Sequence, residues 1–475
     1  MPKKPKPSSG PRRLIAPLLL ILPIAIAAIY WFGIRKPPRP NIVLITLESV
    51  RADHTGCYGY DLPTTPALDA LAQEGVIYED AHAVTSWTLP THTSLFTGLY
   101  PSAHQVTGPF SRLDDKYTTI AEILSANGYQ CGGVISGPYL KRAHGLHQGF
   151  SYYNESPAAE SQSKGHSKVT CEEMMPLLRH FLTRLRDQKR PMFLFAYFWD
   201  PHYDYIPPAP YNRMFVTEDC ELIDVHGYET ANKVTSACTP GQLAYVISQY
   251  DGEIRWTDDH LKDLFEMLKA RGLWDNTAII VLGDHGDEFF EHQWKGHKNN
   301  LYTETIRIPL VIKYPNSRPF GRDARLVSQV DIFPTILELA GVETDAPEQG
   351  VSLLGPVPPS ERSIHCELLS ARYFPKTGGG WEARFVRNWY GARQGDYQLL
   401  HVAEEKRSEL YNMRTDPQQH VNCFGQAGLP SNTLLSLIQQ STEQNQAIAK
   451  VFGLSGEAKL DESAIENLRS LGYVQ

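Results

Sequence analysis

The sequence predicts an α/β protein built on a large, mostly parallel central sheet flanked by helices. Three apolar runs carry that expectation: residues 41–47 (NIVLITL), 192–198 (MFLFAYF) and 278–282 (AIIVL). Each is too short and too rich in β-formers for a helix, and none alternates as a half-exposed strand would. Polar residues follow each run closely: Glu48 after the first, Asp200 and His202 after the second, Asp284 and His285 after the third. Ligands of open α/β sheets bind beyond the carboxyl ends of the strands. These side chains are therefore expected to meet at one point.

From the N-terminus, residues 1–13 form a basic tail, and residues 14–34 are an uncharged apolar stretch long enough to span a bilayer of about 30 Å. Lys3, Lys4, Lys6, Arg12 and Arg13 precede the stretch, and Arg35, Lys36 and Arg39 follow it. That bias favours an N-terminus in the cytoplasm. The expectation is a single transmembrane helix with the catalytic domain outside the cytoplasm, periplasmic or extracellular. A cleaved signal peptide, with Ala25-Ile26-Ala27 at the cut, is the alternative. Residues 35–40 form a linker stiffened by PPRP, and the catalytic domain is expected over residues 41–355.

Within that domain, residues 85–106 (TSWTLPTHTSLFTGLYPSAHQV) carry the most chemistry. Thr88 stands just before Pro90, and proline is favoured in a helix's first turn, where its missing N–H costs nothing. Unpaired backbone N–H groups at such a helix start favour an anion beside Thr88. The alternative reading makes Thr88 only the helix cap. Residues 152–167 are polar and Ser-rich, and residues 205–240 form a longer insertion after the second strand; loops above strand ends shape substrate choice. Beyond Pro356, residues 356–475 are expected as a smaller subdomain. GARQGDYQLLHV (391–402) and SELYNM (408–413) read as its antiparallel strands, followed by an amphipathic helix after Asn432 and a tail, LRSLGYV, packed back on the body.

Two carboxylates, an imidazole and a hydroxyl suit a divalent cation such as Ca, Mg, Mn or Zn. The expected ligands of one such ion are Glu48, Asp284, His285 and Thr88. The ion would lower the hydroxyl's pKa and polarise an ester oxygen, while His202 and His297 protonate a leaving group or hold oxyanion charge. Bland roles compete: Glu48 could bond its own loop, Asp284-His285 could be an ordinary turn, and His202 a cap. Arg51 with Asp53, His104 and His292 read as structural, and Lys295 and Lys298 as solvated or anion-contacting.

These motifs resemble the sulfatase family of the alkaline phosphatase superfamily, in order along most of the chain: ITLESVRADHTGCYGY (45–60), WTLPTHTSLFTGLYP (87–101), DPHYDY (200–205), GDHGDEFFEH (283–292), WKGHKNNLYTE (294–304), RIPLVI (307–312), VSQVDIFPTILELAGV (327–342), ELYNMRTDP (409–417) and LRSLGYV (468–474). The resemblance implies an alkaline phosphatase-like fold with a small C-terminal sheet and helix, and a metal-dependent ester hydrolase. The chain departs from it at three positions. Thr88 replaces the Cys or Ser that the family oxidises to formylglycine, Glu48 replaces the usual Asp, and His92 stands where Arg is common. Thr88, Pro90 and His92 are similar instead to the Thr-x-Pro-x-His segment of superfamily phosphodiesterases, which places Thr88 and His92 among the catalytic residues and a phosphate ester slightly ahead of a sulfate ester. A phosphotransferase acting through a Thr88 phospho-intermediate, or a non-catalytic sulfatase-like binding protein, are the alternatives.

Composition agrees with a large enzyme. A chain of 475 residues with 42% hydrophobic content supports a sizeable core. A net charge of −8 with no basic tract in the folded part argues against nucleic acid as a partner. The expected partners are an anionic phosphate or sulfate ester and the membrane reached by the N-terminal helix; the sequence leaves the oligomeric state open. Of seven cysteines, Cys57 and Cys131 are expected as buried thiols, Cys220 and Cys238 are a candidate disulfide, and no CxxC pair occurs.

Overall fold

The computed structural model describes residues 1–4, 39–158, 170–227, 233–316, 320–356, 362–375, 381–453 and 455–462, with 465, 466 and 469. The expected membrane span at 14–34 lies outside these residues, as do most of the linker, residues 159–167 of the polar segment and most of LRSLGYV. Among the described residues no helix is long and apolar enough to cross a membrane.

Eight strands form the large sheet: β1 (Asn41–Leu47), β2 (Val76–His82), β3 (Gln130–Ile135), β4 (Tyr152–Asn154), β5 (Met192–Phe198), β6 (Thr277–Gly283), β7 (Leu310–Lys313) and β8 (Gly321–Ser328), in the order β8-β2-β7-β6-β1-β5-β3-β4. Only β7 runs antiparallel to its neighbours. The three apolar runs are therefore the adjacent central strands. All seven residues of each are buried, because helices cover both faces of a parallel sheet. Along β1 the side chains divide strictly. Ile42 and Leu44 join one core with α2 (Thr88–Thr97) and Ile332, while Val43, Ile45 and Leu47 join the other with α1 (Pro66–Gln73), α4 (Cys171–His180) and α5 (Pro240–Ala270).

Register places the site. Leu47 pairs with Phe198 of β5 and with Gly283 of β6, so the three strands end at one level. Glu48, the residues after Phe198 and Asp284 thus leave the sheet side by side. Asp200 corrects the expectation that it joins them. Its carboxylate accepts from Thr170 N (2.9 Å) and Cys171 N (3.1 Å), so it caps α4 and satisfies orphan amides there.

The C-terminal part holds a four-stranded antiparallel sheet of β9 (Ser363–Pro375), β10 (Trp381–Gln394), β11 (Tyr397–Val402) and β12 (Arg407–Asn412), then a helix, Ser431–Phe452. GARQGDYQLLHV is the β10–β11 hairpin, turned at Gly395 with φ 56°. Cys366, Leu368, Trp389 and Leu400 belong to the same hydrophobic cluster as α2. Residues from Pro40 onward consequently pack as one compact unit. Cys220 and Cys238 are free thiols rather than a disulfide, the Cys220 sulfur being turned into its own loop beside Thr217 N at 3.5 Å, and Cys57 and Cys131 are buried thiols.

Candidate active site

Helix α2 begins at Thr88 itself. Trp87, extended at φ −156° and ψ 136°, occupies the capping position without a side-chain bond, so Thr88 is not a helix cap. Every residue of α2 is buried, and its polar side chains turn back on the helix: Thr91 Oγ1 and His92 Nδ1 both donate to Thr88 O at 2.8 Å. The Thr88 hydroxyl instead faces the strand ends. It lies 3.3 and 3.2 Å from Glu48 Oε1 and Oε2 and 3.3 Å from His285 Nε2.

Glu48 is completely buried. Its backbone N–H continues the ladder to Phe198 O at 3.0 Å, and Ser49 after it adopts a left-handed φ of 54°. A non-glycine residue holds that conformation only when its surroundings determine it. Here Ser49 N donates to Asp284 Oδ1 (3.0 Å), Ser49 Oγ to Glu48 Oε1 (2.9 Å), and the Tyr250 hydroxyl to Ser49 O (2.7 Å). The Tyr197 hydroxyl closes on Glu48 Oε2 from β5. Asp284 Oδ1 also accepts from His285 N at 2.8 Å, while Asp284 Oδ2 is buried with no hydrogen-bond partner. His285 donates through Nδ1 to Gly286 O (3.2 Å), which turns Nε2 toward Glu48 Oε1 at 3.2 Å. Gly286 leaves no room for a side chain: a Cβ would stand 2.1 Å from Glu304 O.

Charge is concentrated here. Burial raises the Glu48 pKa, but the imidazoles of His285, His202 and His297 outweigh it and hold the carboxylate well below its usual range. Burial and the neighbouring Glu48 push Asp284 well above its usual range. Burial pulls His285 down, yet Asp284 and Glu48 push it up to about 10. Two carboxylates this close and this dry balance their charge only with a proton or a cation among them. Glu48, Asp284 and His285 present ligand atoms within 4.8 Å of one another, as do Glu48, His202 and His297, and His285, Asp287 and His297. The donor set fits a divalent ion: oxygens from Glu48, Thr88 and Asp284 Oδ2, which has no hydrogen bond and lies 3.5 Å from His285 Nε2, with that nitrogen in the tautomer fixed by Gly286.

The histidines divide by position. His297 donates through Nδ1 to Asp287 Oδ1 at 2.7 Å, and Tyr205 holds the other Asp287 oxygen at 2.6 Å. Its ring centre lies 4.4 Å from His285 and 5.3 Å from His202. His202 sits between Trp199 and Tyr203. His92, expected among the catalytic residues, packs beneath the Thr88 backbone. It is buried behind Thr88, with Nδ1 on Thr88 O and Nε2 on Thr46 Oγ1 (2.9 Å), and burial pulls its pKa to about 4. A neutral ring so engaged holds the Thr88 carbonyl from behind. Arg51 is tied to Asp53 and Glu291 as a structural residue.

Sequence reasoning missed Ser49, Tyr197 and Asp287, and it undervalued Lys298. Lys298 stacks on the indole of Trp87 at 4.1 Å, with burial holding its pKa well below normal. Its position after His297 and the aromatic residue before Thr88 were the available signal.

Comparison with known proteins agrees with this geometry. The sulfatase family profile matches residues 40–342, and that of N-sulphoglucosamine sulphohydrolase, C-terminal, matches residues 290–446. The N-acetylglucosamine-6-O-sulfatase of Bacteroides thetaiotaomicron is 24% identical over 86% of this chain and 87% of its own. The multifunctional alkaline phosphatase superfamily protein PehA of Trinickia caryophylli is 27% identical over 66% and 76% respectively. The phosphonate monoester hydrolase structure of Agrobacterium radiobacter superposes with a TM-score of 0.66 at 22% identity, covering 87% of this chain and 96% of that one. With the profile spanning well over half the sequence and a buried donor cluster at the ends of its central strands, the chain belongs to the sulfatase family, and its site is that of an ester hydrolase.

Proposed function

We propose that this protein is a membrane-anchored, metal-dependent hydrolase of anionic esters, with Thr88 as nucleophile and phosphate esters preferred over sulfate esters. The observation that supports it is the Thr88 hydroxyl, shared between both Glu48 oxygens and His285 Nε2 at 3.2–3.3 Å. Glu48, Asp284, His285 and Thr88 would hold one divalent ion, which lowers the hydroxyl's pKa and offsets charge on the ester. The Thr88 hydroxyl donates toward Glu48, so that carboxylate is placed to take its proton. The Thr88 oxygen then bonds to phosphorus as the phosphorus–leaving-oxygen bond breaks, and His297 or His202 protonates the departing oxygen. Asp287 supports this role by fixing His297 through Nδ1. Water next attacks phosphorus, the Thr88 oxygen leaves, and it recovers its proton.

The preference for phosphorus follows from the side chain. Threonine is a secondary alcohol that does not undergo the oxidation to formylglycine, so its ester must be cleared by attack at the central atom. Passing the group to an acceptor other than water would use the same first half-reaction. The apolar stretch at 14–34 supports the anchor, with the catalytic body outside the cytoplasm.

The test assays full-length protein, loaded in turn with Mn, Zn, Mg and Ca, on an aryl phosphate, a phosphodiester and an aryl sulfate. Thr88→Ala is expected to lower turnover by about 10³-fold or more. Equal turnover in the variant removes Thr88 from the role of nucleophile, and faster cleavage of the sulfate reverses the proposed preference.

A further inference from the structure

The end of the sheet opposite Thr88 carries a charge pattern that catalysis does not use. The catalytic body begins there, at Pro40, whose carbonyl accepts the Tyr129 hydroxyl at 3.0 Å. Asn41 Oδ1 accepts from Met192 N at 3.1 Å and Arg186 Nη2 at 3.5 Å. Helix α4 starts beside Asp200 at the site end and runs down to this base, where residues 179–190 (RHFLTRLRDQKR) turn back into β5. That run holds five basic residues and one acidic residue within a chain of net charge −8. It is too short to stand out in the sequence as a basic tract, and folding is what enlarges it. Helix α5 descends alongside and ends at Ala270, so that His260, Asp263 and Arg271 face Glu172, Arg179, His180 and Arg184 across a groove of about 820 Å³.

Arg179, Arg184, Lys189, Arg190 and Arg271 are all exposed. Among the described residues, none of the five forms an ion pair. The one carboxylate within the run, Asp187, accepts the backbone N–H of Lys189 at 2.9 Å. Arg190 uses its guanidinium edge on the carbonyls of Gly128 (3.0 Å) and Tyr129 (2.6 Å), which fixes the side chain without neutralising it. Leu185, 40% exposed, stands among these cations. A cluster with an excess of one charge repels itself, and an opposing anionic surface relieves that cost.

We infer that this basal face docks on an anionic lipid surface, with headgroup phosphates received by Arg179, Arg184, Lys189 and Arg190. The partner follows from two features: the run 179–190 lies at the end of the sheet where the chain arrives at Pro40 from its apolar N-terminal stretch, and that run carries five basic residues to one acidic residue. The inference rests on the membrane reading for delivery to the surface, and its chemistry stands separately. Strands of seven residues rising about 3.3 Å each would then hold Thr88 roughly 23 Å above the lipid plane. A docked enzyme would work on esters that stand off the bilayer, such as a polymer or a soluble molecule, rather than on headgroups pressed against it.

The experiment places the full chain in nanodiscs of phosphatidylcholine alone or with 30% phosphatidylglycerol and follows amide hydrogen exchange. Peptides covering 179–190 and 260–271 are expected to exchange about tenfold more slowly in anionic discs, with peptides around Thr88 unchanged. High salt should remove the protection, since it screens exposed charges. Each basic residue near an anionic surface contributes about 1 kcal/mol, roughly fivefold, so the triple variant Arg179→Gln, Arg184→Gln, Lys189→Gln should weaken docking by about a hundredfold. Equal exchange in both lipids, or protection unaltered in the triple variant, overturns the proposal. If the chain does not embed, the anchor reading fails, and co-sedimentation of the full chain with vesicles of the same two compositions decides the patch. Capture by heparin without vesicle binding also overturns it in favour of a soluble polyanion.

Discussion

Asp284 Oδ2, a carboxylate oxygen buried without a hydrogen-bond partner, would cost several kcal/mol if nothing compensated it. A cation is the compensation the surrounding donors fit. Asp284→Ala is accordingly expected to reduce bound divalent ion from about one per chain to near zero by elemental analysis, and to erase the rise in melting temperature on adding metal; undiminished metal in the variant would contradict the assignment. His285 and Glu48 were legible in the sequence because a polar residue directly after a buried strand has few other reasons to be there. Tyr197 was not, since an aromatic inside MFLFAYF looks the same whether its ring packs or its hydroxyl binds. The partner of His92 was not legible either, because spacing along α2 shows that it follows Thr88 by one turn but not that it turns inward onto Thr46.

Strands were the most readable elements. Three unbroken apolar runs have no stable place but the middle of a covered sheet, and they proved to be neighbours there. The strands β2, β3, β4, β7, β8 and β9 escaped notice, and β10 was read only from Gly391 onward, its outer half being exposed and without regular alternation. Asp200 shows how a strand-end residue can serve an element instead of a site. Replacing it by Ala removes the acceptor for two backbone amides and the Thr170 hydroxyl at the start of α4, and is expected to cost about 2 kcal/mol, read as a lower urea midpoint with an unchanged slope. A shift under a few tenths of a kcal/mol would show that the cap is dispensable.

Stability of the whole molecule should fall in mild acid through histidines buried in neutral form. His104 receives the Val106 N–H on Nδ1 (3.1 Å) and bonds Ser94 through Nε2 (3.0 Å), and burial pulls its pKa from 6.5 to about 3. A depressed folded-state value means that the contribution is complete above about pH 6.5 and is lost as pH falls toward 3. At pH 5.5 the loss from this one residue is about 1.4 kcal/mol. Melting measured at pH 7.5 and 5.5 should show a smaller acid-induced drop in His104→Gln than in the parent; an identical drop would assign acid sensitivity elsewhere. At this scale the sequence marks the small sheet as a C-terminal subdomain, and the structure adds that its Trp389 and Leu400 share a hydrophobic cluster with α2. The spacing of the metal donors has its own consequence. Glu48 and Thr88 are 40 residues apart, but His285 follows Thr88 by 197. At ribosomal speeds of about 5–20 residues per second, roughly 10–40 s separate emergence of the first pair from that of the second. If these four residues hold the ion, the nascent chain can retain it only late in biogenesis, and the compartment that receives the finished polypeptide then selects the metal.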